Sequence, residues 1–123
     1  MRIYREMKPV PPCSRIVKLS LDEGLARLPG PAGERFAELF RHGSLAVEAY
    51  APRGSDPQLP HTRDEAYVVV RGSGWFVKGE RRERFGPGDF LFVPAGVVHR
   101  FEKFTDDLAV WVMFYGPEGG EAP

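Results

Sequence analysis

One cysteine, Cys13, occurs among the 123 residues, which excludes an intrachain disulfide and any Cys-x-x-Cys metal or redox pair. Net charge is absent too. Seventeen basic residues balance 17 acidic ones, far from the basic excess with which nucleic-acid-binding surfaces attract phosphate. The one locally basic stretch, residues 1–19 with Arg2, Arg5, Lys8, Arg15 and Lys18 against Glu6, reads as a solvated terminal arm. Hydrophobic runs are short. The longest, residues 90–98, contains Pro94 and Gly96 and is about half a membrane span. The opening MRIYREMKPVPPC has no apolar export segment, and no G-x-G-x-x-G or phosphate-binding loop follows any expected strand. These absences argue against nucleic acid, membrane and nucleotide as partners and set a reducing, cytoplasmic location as the expectation.

What is present points to strands. Leu, Ile, Val and Phe make up about a quarter of the chain, above the roughly 20% below which disorder sets in. Valine far outnumbers isoleucine and aromatics reach 12%, both favouring pleated structure. Fourteen glycines and 12 prolines supply the punctuation. Ser20-Leu21-Asp22-Glu23 has capping-box spacing and opens a helix expected at 21–28, which Pro29-Gly30-Pro31 ends. Strands are expected at 36–41, 45–51, 65–71, 75–78, 81–85, 89–93, 97–103 and 108–115, mostly 8–12 residues apart with turns between them. That is the pattern of an all-β antiparallel sandwich or small barrel. The division expected is an N-terminal arm and short helix (1–34), a barrel (35–116) and a frayed tail (117–123).

Three histidines carry most of the chemical potential. His42 lies in an expected hairpin turn beside Gly43 and reads as surface. His61 precedes Glu65 by four positions, but Pro60 before it and Val68-Val69-Val70 after it argue against a helix. A straight strand would hold positions 61 and 65 ~13 Å apart, too far for one ion with ~2 Å bonds. They converge only if His61 ends one strand and Thr62-Arg63-Asp64 turns the chain back into Glu65. His99 follows Pro94-Ala95-Gly96, a tight turn expected to place Gly96 at positive φ. Two imidazoles and a carboxylate form a ligand set for non-haem iron or catalytic zinc. On these residues alone, hydrogen-bonded barrel histidines and a solvated glutamate are the plainer reading.

Order and spacing change that balance, because the chain resembles the cupin superfamily. The family's first motif runs G-x5-H-x-H-x3 or x4-E-x6-G, and its second runs G-x5-P-x-G-x2-H-x3-N. This sequence offers His61-x3-Glu65-x6-Gly72 and Gly88-x5-Pro94-x-Gly96-x2-His99. The likeness covers about residues 41–116, and the second motif is the more specific. It implies a single antiparallel cupin β-barrel, a double-stranded β-helix of jelly-roll type. A divalent ion (Fe, Zn, Mn or Ni) at one end would be held by His61, Glu65 and His99. Three positions depart from the pattern: Leu59 stands at the first motif histidine, Gly54 is one place off the leading glycine, and Lys103 replaces the asparagine.

Alternation from Glu65 turns Tyr67, Val69 and Arg71 inward, and from His99 it turns Phe101 and Lys103 inward. Tyr67 and Lys103 are the candidate catalytic side chains, although core filling is the plainer role for Tyr67 and Phe101, and a solvated strand end for Arg71. Trp111 and Met113 are further candidates for the lining, on a strand apolar on both faces. The resemblance leaves two functions open. One is a metal-dependent enzyme, dioxygenase-like or isomerase-like, acting on a small oxygen-rich molecule. The other is a non-catalytic binding or sensor protein, with or without metal. A third reading, metal-free, uses His99 as base and Tyr67 as acid. Outward-facing Val68 and Val70 and the apolar 108–115 strand lead to an expected homodimer.

Overall fold

The structure, a computed structural model, describes residues 16–123; the N-terminal arm and Cys13 lie outside the described residues. One short helix, α1 (Leu21–Leu25), precedes eight strands: β1 (Phe36–His42), β2 (Leu45–Tyr50), β3 (Asp64–Arg71), β4 (Gly74–Lys78), β5 (Arg81–Phe85), β6 (Phe90–Val93), β7 (His99–Glu102) and β8 (Ala109–Tyr115). They form two antiparallel sheets, one ordered β1-β2-β8-β3-β6 and the other β5-β4-β7. The sheets pack face to face without hydrogen bonds closing their edges, so the expected barrel is an open, jelly-roll-like one. No described helix is long and apolar enough to cross a membrane.

The period-2 pattern of β3 sets its faces. Glu65, Tyr67 and Val69 are each at most 1% exposed, while Val68 is half-buried and Val70 exposed. Phe76, Phe85 and Phe101 of the smaller sheet meet Tyr67, Val69, Val110 and Val112 of the larger one. Tyr67 stands edge-on to Phe76 and Phe101, with ring centroids 5.8 and 5.2 Å apart. Pairs of this kind contribute about 0.5–1.5 kcal/mol each beyond area burial, and they give the site a rigid floor.

Helix α1 covers the outer face of the larger sheet. The Ser20 hydroxyl accepts from the Glu23 amide at 3.3 Å, as the capping spacing predicts. The helix stops at Leu25, three residues short of the expected end, because the chain tightens into i→i+3 hydrogen bonds ahead of Pro29. Leu21 and Leu25 then pack on Leu39, Ala49, Ala109 and Trp111. This explains why β8 is apolar on both faces: one faces the core and the other the helix.

Two loops are tied together at one end of the molecule. Gly96 has φ +81°, as its turn requires. In that turn the Gly96 amide donates to the His61 carbonyl at 2.7 Å and the Ala95 amide to Asp64 Oδ1 at 2.9 Å. Asp64 Oδ2 accepts from the Glu121 amide at 2.8 Å, and Gly119 donates to the Thr62 carbonyl at 2.7 Å. Residues expected as a frayed tail therefore hydrogen-bond to the start of β3. These backbone donors hold the Asp64 carboxyl below the usual carboxylate range.

Two substitutions test this packing. A Cβ on Gly24 would lie 2.5 Å from the Ala49 Cβ, so Gly24→Ala should destabilise by about 1–3 kcal/mol despite its better helix propensity. An unchanged or higher urea midpoint would contradict that close approach. Lys103 is the one non-glycine residue with positive φ (48°) among those described, a conformation that asparagine adopts more readily. Lys103→Asn should stabilise by about 0.5–1 kcal/mol, and a lower melting temperature would contradict the strain.

Candidate metal centre

Glu65, the second residue of β3, faces the interior at 1% exposure, and His99, the first residue of β7, faces it from the opposite sheet at 2%. His61 is half-buried and comes from the loop between β2 and β3 rather than from a strand end, a correction to the expected local structure. A bend at Thr62 and Arg63 still brings it back over Glu65. One donor atom from each of the three residues lies within 4.8 Å of the others. His99 Nε2 is 2.7 Å from Glu65 Oε1, and His61 Nε2 is 3.6 Å from the same oxygen.

The protonation pattern follows from the neighbours. His99 Nδ1 donates to the Val97 carbonyl at 2.9 Å, which leaves a lone pair on Nε2 of the neutral ring. Glu65 Oε1, Glu65 Oε2 and His99 Nε2 are all buried without an aligned hydrogen-bond partner. At 2.7 Å, His99 Nε2 and the Glu65 carboxylate are in close ionic contact without the alignment of a full hydrogen bond. An ionised carboxylate so deeply buried costs several kcal/mol unless a charge compensates it. Two imidazole nitrogens and one carboxylate facing each other suit a divalent transition-metal ion. Burial, chiefly, and the adjacent His99 lower the His61 pKa, keeping that ring neutral. For His99 burial also lowers it, but the Glu65 carboxylate and the Val97 carbonyl outweigh burial and raise it.

The other sequence candidates separate cleanly. Tyr67 is fully buried behind the site, its hydroxyl donating to Gln58 Oε1 at 3.1 Å, and burial holds its pKa well above the usual phenol value. Phe101 is core. Lys103 was expected inward, but β7 ends at Glu102 and the positive-φ turn leaves Lys103 exposed, away from the cavity. Arg71 is exposed and 3.4 Å from Asp22 on the surface. Leu59, at the first motif-histidine position, is 77% exposed. Trp111 lies under α1, so the part of β8 that lines the cavity is Val112 and Phe114 rather than Trp111 or Met113. His42 ends β1 and is exposed.

Sequence reading missed the polar network beside the triad. Asp56, 7% exposed, accepts from the Tyr50 hydroxyl, from the Phe101 amide at 2.8 Å and from Gln58 Nε2 at 2.7 Å. Gln58 Oε1 lies 3.2 Å from His61 Nε2. The signal was weak: one aspartate and one glutamine in a proline-rich loop. Tyr50, Gln58, His61 and Glu65 border a cavity of about 520 Å³ lined also by Arg35, Glu48, Val112 and Phe114.

Glu48 faces that cavity from β2. Burial, then the Glu38 and Glu65 carboxylates, raise its pKa to about 7, with Arg41 opposing. An acid whose folded pKa is raised adds stability in its protonated form. That contribution is complete below the unfolded value near 4.5 and is lost as pH rises through about 7. Glu48→Gln should therefore gain stability over the wild type between pH 5 and pH 8 in chelator-treated protein. Parallel stability–pH curves for the two proteins would contradict the burial of this charge.

Comparison with known proteins agrees with this geometry. A family profile described as a cupin domain matches residues 46–115. An uncharacterized protein of Streptomyces coelicolor is 35% identical over 85 residues, covering 68% of this chain and 81% of that protein. Among solved structures, a putative mannose-6-phosphate isomerase from Ralstonia eutropha aligns with TM-score 0.58 at 25% identity, covering 72% of this chain and 89% of that one. The cupin domain of Schizosaccharomyces pombe Cnp3 aligns with TM-score 0.60 at 17% identity, covering 67% and 60%. With its two-sheet fold, its motif spacing and a profile match over more than half its length, the chain belongs to the cupin family.

Proposed function

We propose that this cupin is a metal-dependent protein in which His61, Glu65 and His99 hold a divalent ion at the floor of the cavity, where a small oxygen-rich molecule is acted on. The observation that carries this reading is the buried Glu65 carboxylate, with neither oxygen in an aligned hydrogen bond, facing the nitrogens of two imidazoles. A bound ion supplies Lewis acidity toward a carbonyl or hydroxyl oxygen or, if it is iron, dioxygen activation. The protein's own groups do the rest. Val112 and Phe114 exclude water from one wall, and Phe114 packs edge-on against the His61 ring with centroids 5.0 Å apart. Glu48, protonated over much of the acid range, is poised to give or take a proton at the cavity side. Tyr67 supports the floor and does not reach the cavity directly. The likeness to a putative sugar-phosphate isomerase supports a polyoxygenated ligand and isomerase-like chemistry.

Purified protein loaded anaerobically with Fe(II), Mn(II), Zn(II) or Ni(II) and then desalted should retain about one ion per chain. His61→Ala, Glu65→Ala and His99→Ala should each lower retention at least about tenfold, whereas His42→Ala should not. Retention of none of these ions by the wild type would reject the metal site.

A further inference from the structure

We propose that the side-chain amide oxygen of Gln58 is a fourth protein donor to the ion, in place of the imidazole that Leu59 does not supply. This rests on the metal-binding reading above, and it concerns a variable position of the first motif, one place before Leu59.

The orientation of the amide is set by chemistry rather than left free. Asp56 accepts from the Tyr50 hydroxyl at one oxygen and from the buried Phe101 amide at the other. An ionised carboxylate only accepts, so the amide end turned toward Asp56 must be the NH2, and Gln58 Nε2 lies 2.7 Å from Asp56 Oδ2. The carbonyl end is then committed to the triad side. There Oε1 takes the Tyr67 O–H at 3.1 Å with one lone pair and directs the other toward His61 Nε2 at 3.2 Å.

That separation carries the inference. Donor atoms bonded to one ion at ~2.0–2.2 Å stand about 2.8–3.6 Å from one another at octahedral or tetrahedral angles. The Gln58–His61 spacing of 3.2 Å and the His61–Glu65 spacing of 3.6 Å both fall in that range, while the 2.7 Å His99–Glu65 contact is slightly shorter and would open on binding an ion. Without an ion, His61 carries its proton on Nε2 and donates to Gln58. Once that nitrogen gives its lone pair to an ion, the amide oxygen faces the same cation. Leu59, one residue further on, points to solvent, so the loop presents its neighbour instead.

A neutral oxygen in place of a third nitrogen hardens the donor set and narrows the usual preference for zinc over manganese. Gln58→Ala should therefore lose about tenfold or more in Mn(II) affinity and distinctly less in Zn(II) affinity. The visible absorption of the Co(II)-loaded protein should change in band position and intensity. Equal losses for both ions with unchanged Co(II) bands would overturn the proposal, leaving Gln58 only a hydrogen-bond partner of His61. Unchanged binding of both ions would overturn it as well. Gln58 is the only side-chain carboxamide in the sequence, so the wild type offers a check free of any folding defect. Its single side-chain NH2 pair in a 15N-correlated spectrum should move on adding Zn(II) and stop moving at one equivalent. A pair that does not move would overturn the assignment. A wild type that binds no metal rejects the metal site itself, and this proposal with it; a loaded wild type matched by Gln58→Ala rejects only the fourth donor.

Discussion

A carboxylate at 1% exposure with neither oxygen in an aligned hydrogen bond is the feature around which this molecule is arranged. Burying Glu65 in an aromatic interior costs several kcal/mol unless positive charge compensates it. Its neighbours offer two compensations, a proton on His99 or a cation shared with His99 and His61. The Val97 carbonyl claims the other ring nitrogen of His99, so Nε2 is the atom presented to Glu65 in either case. A cation would draw on Glu65 and both imidazoles together, whereas a proton would satisfy the Glu65–His99 contact alone.

The fold holds these atoms in register from both sheets. Glu65 rides on β3, whose inward face continues into Tyr67 and Val69, and His99 opens β7 two residues before Phe101 in the same core. His61 has no strand of its own. Its backbone is fixed by the Gly96 amide, while the Ala95 amide fixes Asp64 beside Glu65. The turn carrying the second motif therefore positions the loop carrying the first, which is a physical reason for the two motifs to occur together. Behind them, the Tyr50–Asp56–Gln58 network satisfies buried polar groups and gives the loop a defined side-chain orientation.

Much of this was legible in the sequence. Glycine and proline turns separated strands whose observed limits differ from the expected ones by a residue or two, and Gly96 and His99 were placed by local turn chemistry. The exceptions each had a tertiary cause. Strand parity ran past Glu102 to Lys103 because nothing local marked the positive-φ turn. Trp111 and Met113 could not be assigned a face while the sheet's helical cover was unknown. Gln58 was passed over because its role depends on Asp56, Tyr50 and Tyr67, which converge only in three dimensions. Glu48 looked like any strand glutamate until the cavity beside it was seen.

The central claim is that Glu65, His61 and His99 share one cation, and anomalous diffraction from crystals of anaerobically metal-loaded protein tests it most directly. The account predicts a single strong anomalous peak among His61 Nε2, Glu65 and His99 Nε2. An empty site there, with Glu65 and His99 joined by an aligned hydrogen bond, would contradict it.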